Sequence, residues 1–208
     1  TSSRVNFLGG SGTAHTGDVY IDSGVLKIGD VDAISSASFV FVLSGAVFDL
    51  ANTPEDIGGL AGGGTVRIGT GSLGVGLNNS STTFSGSLTG SGTFSKLGSG
   101  RLTLSGGNAG YTGTVNVLAG TLEVGEGDSL GNGSTVNVAQ GTTLHIIADE
   151  AFGGLAGAGT VDLDANMEVG INNASTLFSG AIIGTGSFTK AGSGTMKLTG
   201  VNTFGGSV

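Results

Sequence analysis

The 208 residues hold no Cys, a single Pro and 44 Gly. One Pro without a strict Gly triplet excludes collagen, and the missing Cys excludes a disulfide framework and thiolate metal sites while leaving the compartment open. Seven Lys and Arg against fifteen Asp and Glu, a formal net charge of −8, leave no basic footprint for nucleic acid and no polybasic patch for anionic lipid. Helix is disfavoured, because Gly costs roughly 1 kcal/mol per interior helical position relative to Ala. The Val, Leu, Ile, Thr and Phe between the glycines suit strands.

A pattern of Gly, a small or polar residue and then apolar-x-apolar runs down the chain. It reads GDVYI at 17–21, GVLKI at 24–28, GTVRI at 64–68, GTVNV at 113–117, GTLEV at 120–124, GTVDL at 159–163 and GTMKL at 194–198. Alternation of this kind marks short strands with one buried face. Starts at 24, 45 and 64, and again at 120, 141 and 159, lie about one coil of a parallel β-helix apart. The inward set is then Val19, Ile21, Leu26, Ile28, Val40, Val42, Phe48, Leu50, Val66 and Ile68. Its counterparts further on are Val115, Val117, Leu122, Val124, Val136, Val138, Leu144, Ile146, Val161 and Leu163.

Those counterparts reflect a long duplication. Residues 57–115 are written again as 152–208, and TGDVYIDSGVLKIGD from Thr16 matches TGTVNVLAGTLEVGE from Thr112 at an offset of 96. The chain reads as one β-helix, residues 1–208, made of two units at about 16–111 and 112–208. Long repeats without local chemistry point to a solenoid of stacked coils, here about ten. At about 4.8 Å per coil such a rod is roughly 50 Å long.

Outward positions differ between the units. Phe39 and Phe41 stand where the second unit has Thr135 and Asn137, Tyr20 where it has Asn116, and Lys27 where it has Glu123. An outward asparagine ladder in the second unit is thus replaced by an aromatic stack in the first, a candidate partner site unless a neighbouring segment covers it. The segment ANTPEDI (51–57), with the only Pro, and its shorter equivalent ADEAF (148–152) are expected protrusions, which adds Pro54, Glu55 and Asp56 to the candidate contacts. The apolar run 36–51 is broken by Ser44, Gly45 and Asp49 and is too short for a membrane span. The start of the chain carries no charged, hydrophobic, cleavable leader, so a cytosolic chain or a mature or excised fragment is expected, and the fragment is preferred because Val208 aligns with Val115 in the middle of a strand pattern.

Chemical motifs are sparse. Gly127-Asp128-Ser129-Leu130 spells the nucleophile block of one esterase family, but no Asp-x-x-His follows to supply a base. Gly69, Gly71 and Gly74 satisfy GxGxxG, yet the residues after them do not read as a helix facing a pyrophosphate. Asp162, Asp164, Asn166 and Glu168 alternate along DLDANME and are expected on one strand face, where a solvated surface or a Ca²⁺ site are the alternatives. His15 and His145 lie in different units, away from any evident carboxylate cluster. The Asn78-Asn79 and Asn172-Asn173 pairs recur at one place in both units and read as tight corners needing positive φ, with ligand binding as the alternative. No catalytic residue, metal site or cofactor is assigned.

The stretch SGTFSKLGSGRLTLSGGNAGYTGTVNVLAGTLEV (91–124) resembles the passenger-associated transport repeat of bacterial autotransporters: a Gly-x-Phe-x-Lys step, a Gly-Ser-Gly turn, a Leu-x-Leu-Ser-Gly strand, an Asn-x-x-Tyr-Thr-Gly corner and a Gly-Thr-Leu strand. Residues 185–208 resemble it again with Phe204 at the Tyr position, and 7–21 more weakly with His15 there. The resemblance implies a right-handed parallel β-helix secreted by a type V system to the outside of the outer membrane. It also implies a C-terminal translocator barrel in the parent protein, of which these residues show no sign. Chains of this family thread a pore before folding, which the lack of Cys fits.

Three functions stand open on this basis. The first is an adhesin-type passenger that binds a host surface protein, matrix, a glycan or a neighbouring bacterium. The second is a structural spacer that aids secretion and displays another domain. Polysaccharide cleavage is the third and least supported, since no groove pattern of paired Asp with bases is present. Self-association through exposed strand edges accompanies the first two.

Overall fold

The computed structural model describes residues 4–7, as a strand only, and residues 15–207. The weakest of the three repeat resemblances, at 7–21, therefore lies partly outside the described residues. Among the described residues the chain forms 25 short strands and no helix. The strands pair in parallel with partners about twenty residues away, an arrangement that requires the chain to coil. The result is a parallel β-solenoid of about nine turns, close to the ten expected from the spacing.

Each coil visits three faces in order. The first face carries Arg4–Phe7, Val25–Ile28, Val47–Asp49, Thr65–Gly69 and Ser87–Gly90, and resumes with Glu150–Phe152, Met167–Val169 and Phe188–Lys190. The second is an eight-stranded ladder from Pro54–Ile57 to Met196–Leu198. The third begins with Val19–Ile21, Phe39–Val42 and Gly59–Ala61 and continues from Thr82–Phe84 to Ala181–Gly184, the Gly62 to Phe84 bridge joining the two stretches.

Register places like on like. Leu102, Leu122, Leu144, Val161 and Ile182 follow one another up the inside of the third face. All twenty inward residues expected from the alternation are buried. Burial of each such side chain contributes about 1.5–3 kcal/mol.

Side chains close the gaps where a ladder lacks a strand. On the first face, Asn108 accepts the Leu88 N–H and donates to the Ser129 carbonyl, and Glu150 then accepts the Ser129 and Leu130 N–H groups at 3.0 and 2.9 Å. On the second face Glu55 accepts the N–H groups of Ala33 and Ile34 at 3.0 and 2.9 Å. Lys96 is buried and donates to the carbonyls of Leu97, Gly98 and Ala119. Tyr111, fully buried, donates to the Gly92 carbonyl at 2.8 Å and contacts that of Thr114 at 3.0 Å. Gly113 permits this, because a Cβ there would stand 1.9 Å from the Gly92 carbonyl and 2.6 Å from the Tyr111 hydroxyl.

The two expected protrusions are absent as such. Pro54–Ile57 and Glu150–Phe152 are strands, and both Glu55 and Glu150 turn inward because the backbone N–H groups of the coil before them need an acceptor. Pro at the first position of a strand is tolerated, since its missing N–H falls where the preceding coil has no strand.

Candidate partner-binding surface

Outward side chains of the first three rungs of the third face form a grid. The first rung presents Asp18, Tyr20 and Asp22, the second Phe39, Phe41 and Leu43, the third Gly59, Ala61 and Gly63. Tyr20 and Phe41 are register partners with ring centroids 4.6 Å apart and planes 4° from parallel. Phe39 joins them at 5.9 Å from Phe41 and lies over Gly59, where a Cβ would come within 2.6 Å of its ring. Tyr20 is 64% exposed and Leu43 44%, whereas Phe39 and Phe41 are half-buried by the stack. Asp18 and Asp22 are both exposed, and Asp18 accepts the Phe39 N–H at 2.9 Å.

The equivalent grid in the second unit has the same backbone pairing and different chemistry. Its rungs read Thr114, Asn116, Leu118, then Thr135, Asn137, Ala139, then Gly154, Ala156, Ala158. Both carboxylates and all three aromatic rings are therefore peculiar to the first unit.

The six candidate contact residues do not all come together. Tyr20, Phe39 and Phe41 form one surface; Pro54 and Asp56 are exposed on the second face instead. Glu55 is corrected outright. Only 2% exposed, its carboxyl is committed to two backbone N–H groups and cannot meet a partner. Burial raises its pKa to about 7, against the lowering effect of the Ile34 and Ala33 N–H groups and with a further rise from Asp32 and Asp56. Glu150 is held at about 7 by burial in the same way, with Asp128 adding to the rise.

The remaining motifs resolve structurally. Ser129 is fully buried, its hydroxyl donating to the Glu126 carbonyl at 2.7 Å. Ser72–Val75, which contains the last glycine of the triplet, is a strand. Asp162 and Glu168 do not share a strand face: Thr160–Leu163 ends on the third face, the chain turns, and Met167–Val169 starts on the first. Asn79 and Asn173 both have φ of 61°, and their side chains accept the Ser99 and Ser193 N–H groups, which settles them as corners.

One cluster escaped the sequence reading. His145 lies between two carboxylates, with Nδ1 3.2 Å from Glu123 and Nε2 3.0 Å from Asp164, and Arg101 pairs with Glu123 at 2.7 Å. The four residues belong to successive coils, and only their spacing of about twenty residues would have revealed them. Among the described residues no group of three or more His, Cys, Asp or Glu side chains can hold a metal ion.

The buried polar residues Lys96, Asn108 and Tyr111 all fall in one segment, and that segment matches a family model. The passenger-associated transport repeat model matches residues 94–124 and 188–208. The chain is also 35% identical over 146 residues, 66% of its length, to the adhesin BmaC autotransporter of Brucella suis biovar 1 (strain 1330). It carries passenger-associated transport repeats and is similar to an autotransporter passenger. This passenger segment spans 4% of the length of that relative. No solved structure matches it. As a passenger it is secreted or displayed at the cell surface. Among the described residues no helix is long and apolar enough to cross a membrane, which says nothing of a β-barrel.

Proposed function

We propose that this passenger segment is adhesin-type, contacting a host surface protein, matrix, a glycan or a neighbouring bacterium through the surface built on Tyr20, Phe39 and Phe41. The observation that carries this reading is the stacked aromatic ladder, standing where the same backbone in the second unit holds Thr and Asn. Exposed aromatic side chains on a polar rod are a recurrent feature of contact sites. The relative's printed name, an adhesin, supports the same class. No catalysis is assigned, since the only nucleophile motif has its Ser129 hydroxyl buried and bonded.

A spacer role is the second reading. It is favoured by the eight-stranded second face and by the inward aim of Lys96, Asn108 and Tyr111, which spend the repeat motif on the fold itself. Binding of the purified chain to intact host cells and to matrix and glycan arrays separates the two. The adhesin reading expects saturable binding that a folded Tyr20→Asn/Phe41→Asn variant loses. Binding by neither protein moves the assignment to the spacer.

A further inference from the structure

We infer that the aromatic grid is a docking site for a basic segment of a protein partner, with Lys or Arg side chains engaging Asp18 and Asp22 and their stems or apolar neighbours covering Tyr20, Phe41 and Leu43. This rests on the adhesin reading and names the chemistry of its partner.

Charge and shape lead to it. On the first rung the exposed ring of Tyr20 is bracketed on the same strand face by two exposed carboxylates, Asp18 and Asp22. The second rung is wholly apolar, and the third, Gly59, Ala61 and Gly63, carries almost no side chain, so the surface steps down beyond the rings. No Lys or Arg stands on this grid, and the next cation along the third face, Arg101, is already paired with Glu123 at 2.7 Å. An occupant must therefore bring its own positive charge to the acidic rung and apolar surface to the second. Lys and Arg do both, since their long stems lie on apolar surface while the charged head reaches a carboxylate.

The flanking carboxylates, more than the rings, favour a cationic side chain over a neutral sugar. Tyr20 and Phe41 lie nearly parallel at 4.6 Å, and Phe39 sits against Phe41 at 5.9 Å, so of the three rings Tyr20, 64% exposed at the end of the stack, is the one that offers a partner an open face. That open face lies between two carboxylates, and it suits the stem of a Lys or Arg whose charged head reaches Asp18 or Asp22.

The probe is a blocked hexapeptide alternating Leu and Arg, with a Leu and Glu peptide of the same length and chitotriose as counter-probes. Isothermal titration calorimetry measures the affinity in every variant, and in wild type and Asp22→Asn tyrosine emission locates the site, because Tyr20 and Tyr111 are the only tyrosines, Trp is absent and Tyr111 is fully buried. The Leu–Arg peptide is expected to bind saturably at one site and to weaken at least about fivefold between low and high salt. It should weaken about as much in the Asp22→Asn variant and in Tyr20→Asn/Phe41→Asn, which carries the second unit's own residues. Circular dichroism and melting confirm the fold, and Asp22→Asn, an exposed change, keeps the test valid if the double variant unfolds.

Equal binding by wild type and variants would mean diffuse attraction to an acidic chain and overturns the inference, as does a Tyr20 response to chitotriose or to the Leu–Glu peptide without one to Leu–Arg. Cell binding that is lost in Tyr20→Asn/Phe41→Asn but unaffected by Asp22→Asn, with no Leu–Arg binding, overturns the basic partner while leaving the adhesin reading intact. Leu–Arg binding at the grid without any cell binding supports the inference and removes the adhesin reading.

Discussion

Phe94 and Phe188 hold the same place in the two long units yet point into the core from different faces. Phe94 pairs with Leu73 and Val115 on the second face, Phe188 with Met167 on the first. The reason is the length of the unit. From Leu26 the first face returns at Phe48, Val66, Leu88 and the Asn108 corner, four coils on, and the equivalent residue Leu122 lies two faces beyond, on the third, after the chain has crossed the second at Val115. A unit of about four and two-thirds coils turns each of its features by two-thirds of a turn, so the aromatic grid and its asparagine counterpart look in different directions.

Because only side chains distinguish the two grids, the stack is transferable. Asn116→Tyr with Asn137→Phe should build a second aromatic pair on the second face, since the two residues are register partners as Tyr20 and Phe41 are. A cross-strand aromatic pair contributes about 0.2–1 kcal/mol. Urea unfolding should therefore show a small gain in stability, and near-ultraviolet circular dichroism a new aromatic signal. A loss beyond about 1 kcal/mol would show that the outward positions are coupled to the core.

The two buried carboxylates make stability depend on pH in an unusual direction. Glu55 and Glu150 each have a folded pKa raised from 4.5 to about 7, chiefly by burial. The folded state thus binds more protons than the unfolded chain between those values, and stability falls as pH rises through that window. Their contribution is complete below pH 4.5 and lost as pH passes about 7. Asp32 and Asp56 near Glu55, and Asp128 near Glu150, push in the same direction. Comparing urea unfolding at pH 5 and pH 8 in wild type and in Glu55→Gln/Glu150→Gln isolates the effect. The variant should lose on the order of 1–3 kcal/mol of pH-dependent difference per carboxylate. An unchanged difference between the two pH values refutes the assignment.

The core was legible in the sequence because a strand's period of two is local, and each inward residue such as Val40 or Leu144 is apolar whatever lies above it. The Tyr20–Phe41 stack was legible as well, since equal spacing within coils made it a matter of offset. Glu55 was misread for a physical reason. A charged residue beside the only Pro looks like a surface turn, and nothing local reveals that the Ala33 and Ile34 N–H groups one coil earlier lack a strand to bond. The Glu123, His145 and Asp164 cluster was missed on the same account, because contacts between coils depend on register rather than on neighbouring sequence.

Lys96 tests how far the repeat motif is structural. Burial lowers its pKa to about 8, which keeps the ammonium charged at neutral pH, where it serves the carbonyls of Leu97, Gly98 and Ala119. Lys96→Met leaves those carbonyls without the donor and should cost about 1–3 kcal/mol. Lys190, its equivalent, donates among the described residues to the Ala191 and Gly192 carbonyls and is half-buried. Lys190→Met should cost less, and chemical unfolding of the two variants decides the order.

Tyr111 and Phe204 give a paired prediction of opposite sign. Removing the Tyr111 hydroxyl in Tyr111→Phe frees the Gly92 and Thr114 carbonyls inside the core and should cost about 1–2 kcal/mol. Phe204 occupies the matching corner without a hydroxyl, packed at 6.1 Å and 52° against Phe188. Gly206 there stands as close to the Gly186 carbonyl as a Gly must, with a Cβ meeting it at 2.3 Å, the same relation that Gly113 bears to Gly92. The acceptor for a hydroxyl is thus already in place, so Phe204→Tyr should be neutral or stabilise by up to about 1 kcal/mol. If both substitutions destabilise, the two corners are not equivalent and the repeat motif closes its second coil in another way.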